Sequence, residues 1–284
     1  MLVGLIGANI QRSLSPALFA DFCAAAGLNG HYHLMDTDLL AERRPEALLA
    51  AARTAGFVGT NVTYPFKEAI LPLLDAVSDE ARQIGAVNTV TIAADGATKG
   101  YNTDRTGFRR AFEETFGREA VAGKTVVQVG AGGAGRAVAF ALLDLGVGTL
   151  LVNDKNEAQA AGVVAAATTH AGRDRCRIER DPVAALKTAA GLVNATPVGM
   201  TGIPGVPISP AAIAAHHFVA DVIYSPLETE LLAAARARGA RVMGGAGMCV
   251  HQAVEAYRLF TGLTPDLARM RATFAAAAAL RAPA

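Results

Sequence analysis

Cysteine is scarce in this chain. Cys23, Cys176 and Cys249 are the only three in 284 residues, far apart and with no CxxC pair. That argues against a disulfide framework and against a zinc site, and favours a reducing compartment. An excess of either charge is also missing. The formal net charge is +1 with Lys and Arg scattered, so nothing marks a nucleic acid or an anionic membrane as partner; Arg173-Asp174-Arg175 reads as a solvated turn. No apolar run is long enough to span a bilayer. The opening Met1-Leu2-Val3-Gly4-Leu5-Ile6 is too short for a signal peptide, lacks its basic flank, and reads as a first strand. A soluble, cytoplasmic protein is the expectation.

What is there suits a compact α/β enzyme: 52% hydrophobic residues, 18% charged and 29 glycines, over a length that holds two ordinary domains. In the first half, Leu2–Ile6 is followed by Gln11-Arg12-Ser13-Leu14-Ser15-Pro16. Ser15 before Pro16 predicts a hydroxyl cap and a helix start, with Leu18, Phe19, Phe22 and Cys23 at helical spacing. Ser13 beside it completes a hydroxyl pair at a helix N-terminus, suited to a carboxylate. Tyr32–Met35 reads as a strand and Leu39–Arg53 as a helix. His31 and His33 lack a third ligand and read as ordinary side chains; no metal is expected.

The stretch Asn61-Val62-Thr63-Tyr64-Pro65-Phe66-Lys67 reads as a strand end, with Pro65 opening a helix that continues through Ile70–Val77. Asn61 and Thr63 then share a face and Lys67 points back over it. Ser78 predicts another helix cap, Asp95-Gly96 a hairpin turn between two strands, and Asp104 the opening of a helix through Phe108 and Phe112. Gly85–Thr89 and Tyr101–Asp104 are two further polar strand ends. Several such ends together suggest a site for a ligand rich in hydroxyl and carboxylate oxygens, while Asp104 taken alone is equally a cap.

Beyond a composition break at 117–124, Thr125–Val129 is a β-branched run typical of a parallel strand buried on both faces. It enters Gly130-Ala131-Gly132-Gly133-Ala134-Gly135 and then an apolar helix, the context in which GxGxxG signals a dinucleotide. The next strand ends at Asn153-Asp154-Lys155. Asp154 lies where a carboxylate accepts from ribose hydroxyls and opposes a 2′-phosphate, so NAD is favoured over NADP, with Lys155 offsetting part of that repulsion. Strand–helix alternation continues through Thr196, a Gly/Pro-rich loop carrying Met200, and Phe218–Val222. It predicts a doubly wound sheet; Thr196, Met200, Val222, Gly245 and Met248 are the further candidates for cofactor binding. His216-His217 reads as surface. Gln252 falls early in a long helix, and a last helix spans Pro265 to about Leu280.

Taken together, Ser-Leu-Ser-Pro (13 to 16), Asn-Val-Thr-Tyr-Pro-Phe-Lys (61 to 67), Gly-Ala-Val-Asn-Thr (85 to 89), Asn-Thr-Asp (102 to 104), the glycine turn, Asn-Ala-Thr-Pro-Val-Gly-Met (194 to 200) and Gly-Met-Cys-Val-His-Gln-Ala (247 to 253) resemble the shikimate dehydrogenase family, and within it the quinate/shikimate dehydrogenases. The resemblance implies an α/β chain of two domains. An N-terminal α/β substrate domain, 1–104 completed by 248–284, would accompany a Rossmann-type NAD-binding domain, 105–247. It implies Lys67 and Asp104 as the catalytic pair, and Ser13, Ser15, Thr63, Asn88 and Gln252 as binders of a hydroxylated cyclohexane carboxylate, with Asn61 and Tyr224 close by.

The implied reaction is reversible NAD(P)-dependent oxidation of the ring 3-hydroxyl of shikimate or quinate. A free lysine titrates near ~10.4 and is a poor base at neutral pH, so the residues leave open which of the pair titrates. A paralogue acting on aminoshikimate, or a catalytically silent NAD sensor, are the competing readings. The oligomeric state is left as monomer or homodimer.

Overall fold

The computed structural model describes residues 1–172 and 175–281; Arg173 and Asp174 of the charged turn lie outside the described residues. The chain divides into two compact units, Met1–Thr103 with Val250–Ala284, and Asp104–Cys249.

The first unit runs β1 (Leu2–Gly7), α1 (Ser15–Ala26), β2 (His31–Asp36), α2 (Pro45–Thr54), β3 (Phe57–Val62), β4 (Ala76–Val77), α3 (Asp79–Ile84), β5 (Thr89–Ile92) and β6 (Thr98–Tyr101). The strands form one mixed sheet in the order β2-β1-β3-β5-β6-β4. β1 is parallel to both neighbours, whereas β3, β5 and β6 are antiparallel. The β5–β6 turn forms where Asp95-Gly96 predicts it: Gly96 has φ 84° and the Asp95 carboxylate accepts the Ala97 N–H at 2.9 Å. Ser78 caps α3 by accepting the Ala81 N–H.

Three local expectations are corrected. Ser15 is not the cap of α1. Leu14 is, already in a helical conformation and with no side-chain cap bond, and it is Ser13 Oγ that accepts the Ser15 N–H, at 3.2 Å. The second helix starts only at Pro45, because Arg44, forced extended by the proline after it (φ −81°, ψ 129°), cannot be helical. Pro65 opens no helix either. Residues 64–70 are turns, Leu71–Leu73 is a single 3-10 turn and Ala76–Val77 is a strand. Pro72 lacks an N–H and its ring crowds the preceding turn, so no α-helix can run through Ile70–Val77.

Helix α4 (Thr103–Phe116) leads into the second unit, which continues with β7 (Thr125–Val129), α5 (Gly133–Asp144), β8 (Thr149–Asn153), α6 (Glu157–Ala171), β9 (Cys176–Ile178), α7 (Pro182–Ala185), β10 (Gly191–Asn194), β11 (Phe218–Asp221), α8 (Glu230–Ala237) and β12 (Arg241–Met243). Its sheet, β12-β11-β10-β7-β8-β9, is wholly parallel. Alternate residues of one strand enter separate cores: Val126 packs with Leu142, Leu150 and Phe218, while Val127 and Val129 pack with Leu192, Val219 and Leu231. Burial on both faces is what the unbroken β-branched run predicts. Strand order reverses direction between β7 and β10, the switch point where a crevice opens at the carboxyl ends of the strands.

His217 corrects a further expectation. It is buried, accepting the Ala214 N–H at Nδ1 and lying 3.0 Å from Leu186 O through Nε2, so only His216 is surface. Helix α9 (Ala246–Thr261) returns the chain to the first unit, and α10 (Leu267–Ala279) packs on α1, where Arg269 and Thr273 both bond Asp21.

Candidate active site

In the first unit, the turn carrying Lys67 is built from its backbone outward. Thr63 N–H donates to Ile6 O, Phe66 N–H to Thr63 O, and fully buried Ile70 closes the turn on Phe66 O. Val87 N–H donates to Lys67 O at 2.7 Å, which sets Lys67 directly beside the strand end that carries Asn88. Gly7 admits the adjacent chain: a Cβ there would lie 2.3 Å from Thr63 Cγ2.

Behind this turn runs a buried polar chain. Tyr32 Oη donates to Asn61 Oδ1 at 2.9 Å, and Asn61 Nδ2 donates to Thr89 Oγ1 at 3.0 Å. The Thr89 hydroxyl donates to Asn88 Oδ1, and Asn88 Nδ2 donates to Thr103 Oγ1 at 2.9 Å. The Thr103 hydroxyl has two acceptors within reach of its own proton, Asn88 Oδ1 at 3.3 Å and Gln252 Oε1 at 3.4 Å. Asn61 is therefore satisfied inside the protein, and Asn88 and Gln252 are oriented by Thr103. Tyr32, Thr89 and Thr103 are missed by the sequence reading. Thr103 carried a signal, since it sits between two singled-out residues at a polar strand end. Tyr32 carried none, because its contact depends on β2 and β3 flanking β1.

The Ser13 loop hangs on one carboxylate. Asp36 Oδ1 accepts from the N–H groups of Asn9 and Asp38, and Oδ2 from Ile10 N–H and the Gln11 amide, all at 3.1 Å. Burial alone would raise the Asp36 carboxyl, but these donors overcome it and hold the group below the usual carboxylate range. Ser13 is buried, and its Oγ accepts from Ser15 N–H, which leaves the hydroxyl proton to donate. Tyr257 Oη donates to Ser15 O at 3.1 Å.

Ser13, Ser15, Asn61, Thr63, Lys67, Asn88 and Gln252 thus belong to the first unit. Asp104, buried in the first turn of α4, and Tyr224 belong to the second, with the cofactor candidates.

The glycine turn of the second unit sits at the end of β7. Gly130, at φ 104°, lies so close to β10 that a Cβ would be 2.5 Å from Ala195 C; one on Gly135 would be 2.2 Å from Gly130 O. Gly132 differs: a Cβ there meets nothing nearer than Gln159 Oε1 at 4.0 Å. Two glycines serve packing and one leaves a face open at the α5 N-terminus, where a pyrophosphate fits. Gln128, buried beneath, ties the turn by donating Nε2 to both Gly130 O and Gly135 O at 2.8 Å. Asp154 does more than the sequence suggests. Its Oδ2 accepts the Ala131 N–H at 2.7 Å and its Oδ1 the Asn156 N–H at 2.8 Å, so it braces the glycine turn. Gly130 N–H donates to Asn153 O, and exposed Lys155 follows.

Across the switch point, the Thr196 hydroxyl donates to Asn194 Oδ1 at 2.7 Å. Asn194 Nδ2 donates to Asp221, which also accepts from Thr229 Oγ1 and Ile223 N–H. Burial pushes the Asp221 carboxyl up, against the pull of those three donors. This cluster fixes the strand ends that carry Thr196 and Val222, and sequence gave no hint of Asp221. Gly245 is required at its turn, since a Cβ would stand 2.1 Å from Val222 O, and Met248 is buried near by on α9. Met200 turns back on Pro197 O.

A parallel doubly wound sheet, a tight glycine turn at its switch point and an acid at the next strand end define the class: a dinucleotide-dependent oxidoreductase with a second α/β unit. Residues 5–90 match the model of the shikimate dehydrogenase substrate binding domain, and residues 245–273 that of the shikimate 5′-dehydrogenase C-terminal domain. A quinate/shikimate dehydrogenase (NAD(+)) of Corynebacterium efficiens is 48% identical over 96% of this chain and 97% of its own. A shikimate dehydrogenase (NADP(+)) of Streptomyces avermitilis is 46% identical over 96% and 94%. The structure of quinate dehydrogenase from Corynebacterium glutamicum in complex with NAD superimposes with a TM-score of 0.89 at 44% identity, covering 97% of this chain and 99% of that one. The chain belongs to the shikimate dehydrogenase family.

Proposed function

We propose that this protein is an NAD-preferring quinate/shikimate dehydrogenase, oxidising the ring 3-hydroxyl of shikimate, and of quinate, to the 3-dehydro ketone. The observation that carries this reading is the Asn88–Thr103–Gln252 arrangement beside the backbone-pinned Lys67 turn. It gathers Asn88, Thr103 and the Lys67 backbone at one end of strands β3, β5 and β6, as a site for a polyhydroxylated ring requires.

When bound, the nicotinamide supplies the hydride acceptor. Lys67 takes the proton from the hydroxyl being oxidised, and in the reverse direction returns it to the ketone oxygen as ammonium. Asp104 orients the substrate and the lysine. Asn88, Gln252 and Thr63 hold the remaining hydroxyls, and Ser13 and Ser15 donate to the ring carboxylate. On the cofactor side, Gly132 leaves room for the pyrophosphate, and Asp154 accepts from the ribose while opposing a 2′-phosphate. The close relatives that use NAD support this preference. In this reading the first unit supplies the carboxylate and hydroxyl contacts to substrate, and the second supplies Asp104 and the dinucleotide contacts.

The test is initial-rate reduction of NAD and of NADP with shikimate and quinate supplied separately. Turnover with NAD on at least one acid, exceeding that with NADP, is expected. A protein inert with both acids and both dinucleotides is not this enzyme.

A further inference from the structure

Two serine hydroxyls are neutral donors, yet the group they face in the proposed reaction is a carboxylate. The end of the chain brings a charge to that place. After α10, Arg281 turns back and its Nη1 donates to Ser13 O at 2.7 Å. Arg12 Nη2 in turn donates to Arg281 O at 3.1 Å, so two guanidinium-bearing residues latch each other across the entry to α1. Arg281 is half-buried, and among the described residues neither arginine pairs with a carboxylate. The acids of this corner are committed elsewhere: Asp36 to the loop donors on Asn9, Ile10, Gln11 and Asp38, and Asp21 to Arg269 and Thr273.

We infer that Arg281 is a specificity-determining residue: it supplies the positive charge that makes the Ser13–Ser15 loop select an anionic ring substrate over a neutral one. This rests on the proposed dehydrogenase reading. A guanidinium stays protonated at every working pH and carries five N–H donors, of which the Ser13 carbonyl takes one. Its field at the Ser13 hydroxyl is therefore constant, and partial burial protects it from screening. It touches no reacting atom, so it acts on substrate capture and leaves the hydride step alone.

The experiment compares wild type, R281Q and R281K with shikimate and with its uncharged methyl ester. R281Q is expected to raise KM for shikimate about fivefold, the size that a partly exposed pair of opposite charges contributes. Its kcat should hold within about twofold. The KM for the ester should not change, and R281K should recover most of the loss, since it keeps the charge. An equal KM rise for acid and ester would make Arg281 a purely structural latch, and no rise for the acid would show that its charge is not felt; either result overturns the inference. If quinate is the better substrate, quinate and its methyl ester replace them; wild-type protein inert with shikimate and with quinate overturns the dehydrogenase reading and this inference together, whereas an active wild type with an indifferent R281Q overturns this inference alone.

Discussion

In the proposed reaction, Lys67 and Asp154 are the two side chains on which chemistry and cofactor choice turn. Replacing Lys67 with alanine removes the proposed proton acceptor while its backbone carbonyl keeps the Val87 N–H. We expect kcat to fall by about two orders of magnitude or more with little change in KM. Undiminished kcat would take the lysine out of the reaction. Asp154→Ser should lower kcat/KM for NAD about tenfold and narrow the gap to NADP, because it removes a ribose acceptor and an anionic barrier together. Asp36 predicts a pH effect. Its carboxyl is held low in the folded protein, so its contribution to stability is complete above an unfolded value near ~3.9 and is lost as pH falls through the folded one. Asp36→Asn should flatten that acid limb and cost about 1–3 kcal/mol near neutrality, measured by urea denaturation at a series of pH values. Cys176 is a simpler case: burial pushes its thiol up to about 12, so it should resist alkylation until the protein unfolds.

At the level of elements, legibility followed how local the cause was. Helix α3, the Asp95-Gly96 hairpin and the β7 run were readable because a cap, a turn pair and a β-branched stretch each act within a few residues. The Lys67 segment was misread as helix because Pro65 was taken for a first helical residue and Pro72 was not weighed against it, and Ile70 proves to anchor a turn instead. The residues of the first-unit site could be singled out as polar strand ends, but the Tyr32–Asn61–Thr89–Asn88–Thr103 order could not. It depends on which strands are neighbours, and β5 lies beside β3 only through an antiparallel pairing that spans distant sequence. Asp154 was singled out for a proposed ribose role, while its grip on Ala131 depended on the loop's folded path. Helix α10 offers a test at this scale. Its link to α1 through Asp21 is partly exposed, so Asp21→Ala should cost no more than about 1 kcal/mol, seen as a small drop in Tm.

For the whole molecule, the division of the residues between two units makes ligand protection local. Saturating NAD at about a hundredfold excess over Kd should add about 2.7 kcal/mol to the stability of whatever it binds. Hydrogen exchange should then slow at 130–135 and 153–155, with no comparable slowing in β1 or β2; protection confined to the first unit would place the dinucleotide wrongly. A different consequence concerns synthesis on the ribosome. Residues 104–249 can close their sheet as soon as they emerge, but α1 waits for Tyr257, whose ring packs on Phe19 and Phe22, and for Arg269. The segment before residue 104 is therefore finished only after residues 250–281 have followed, and until then the nascent protein carries a greasy helix face awaiting its lid.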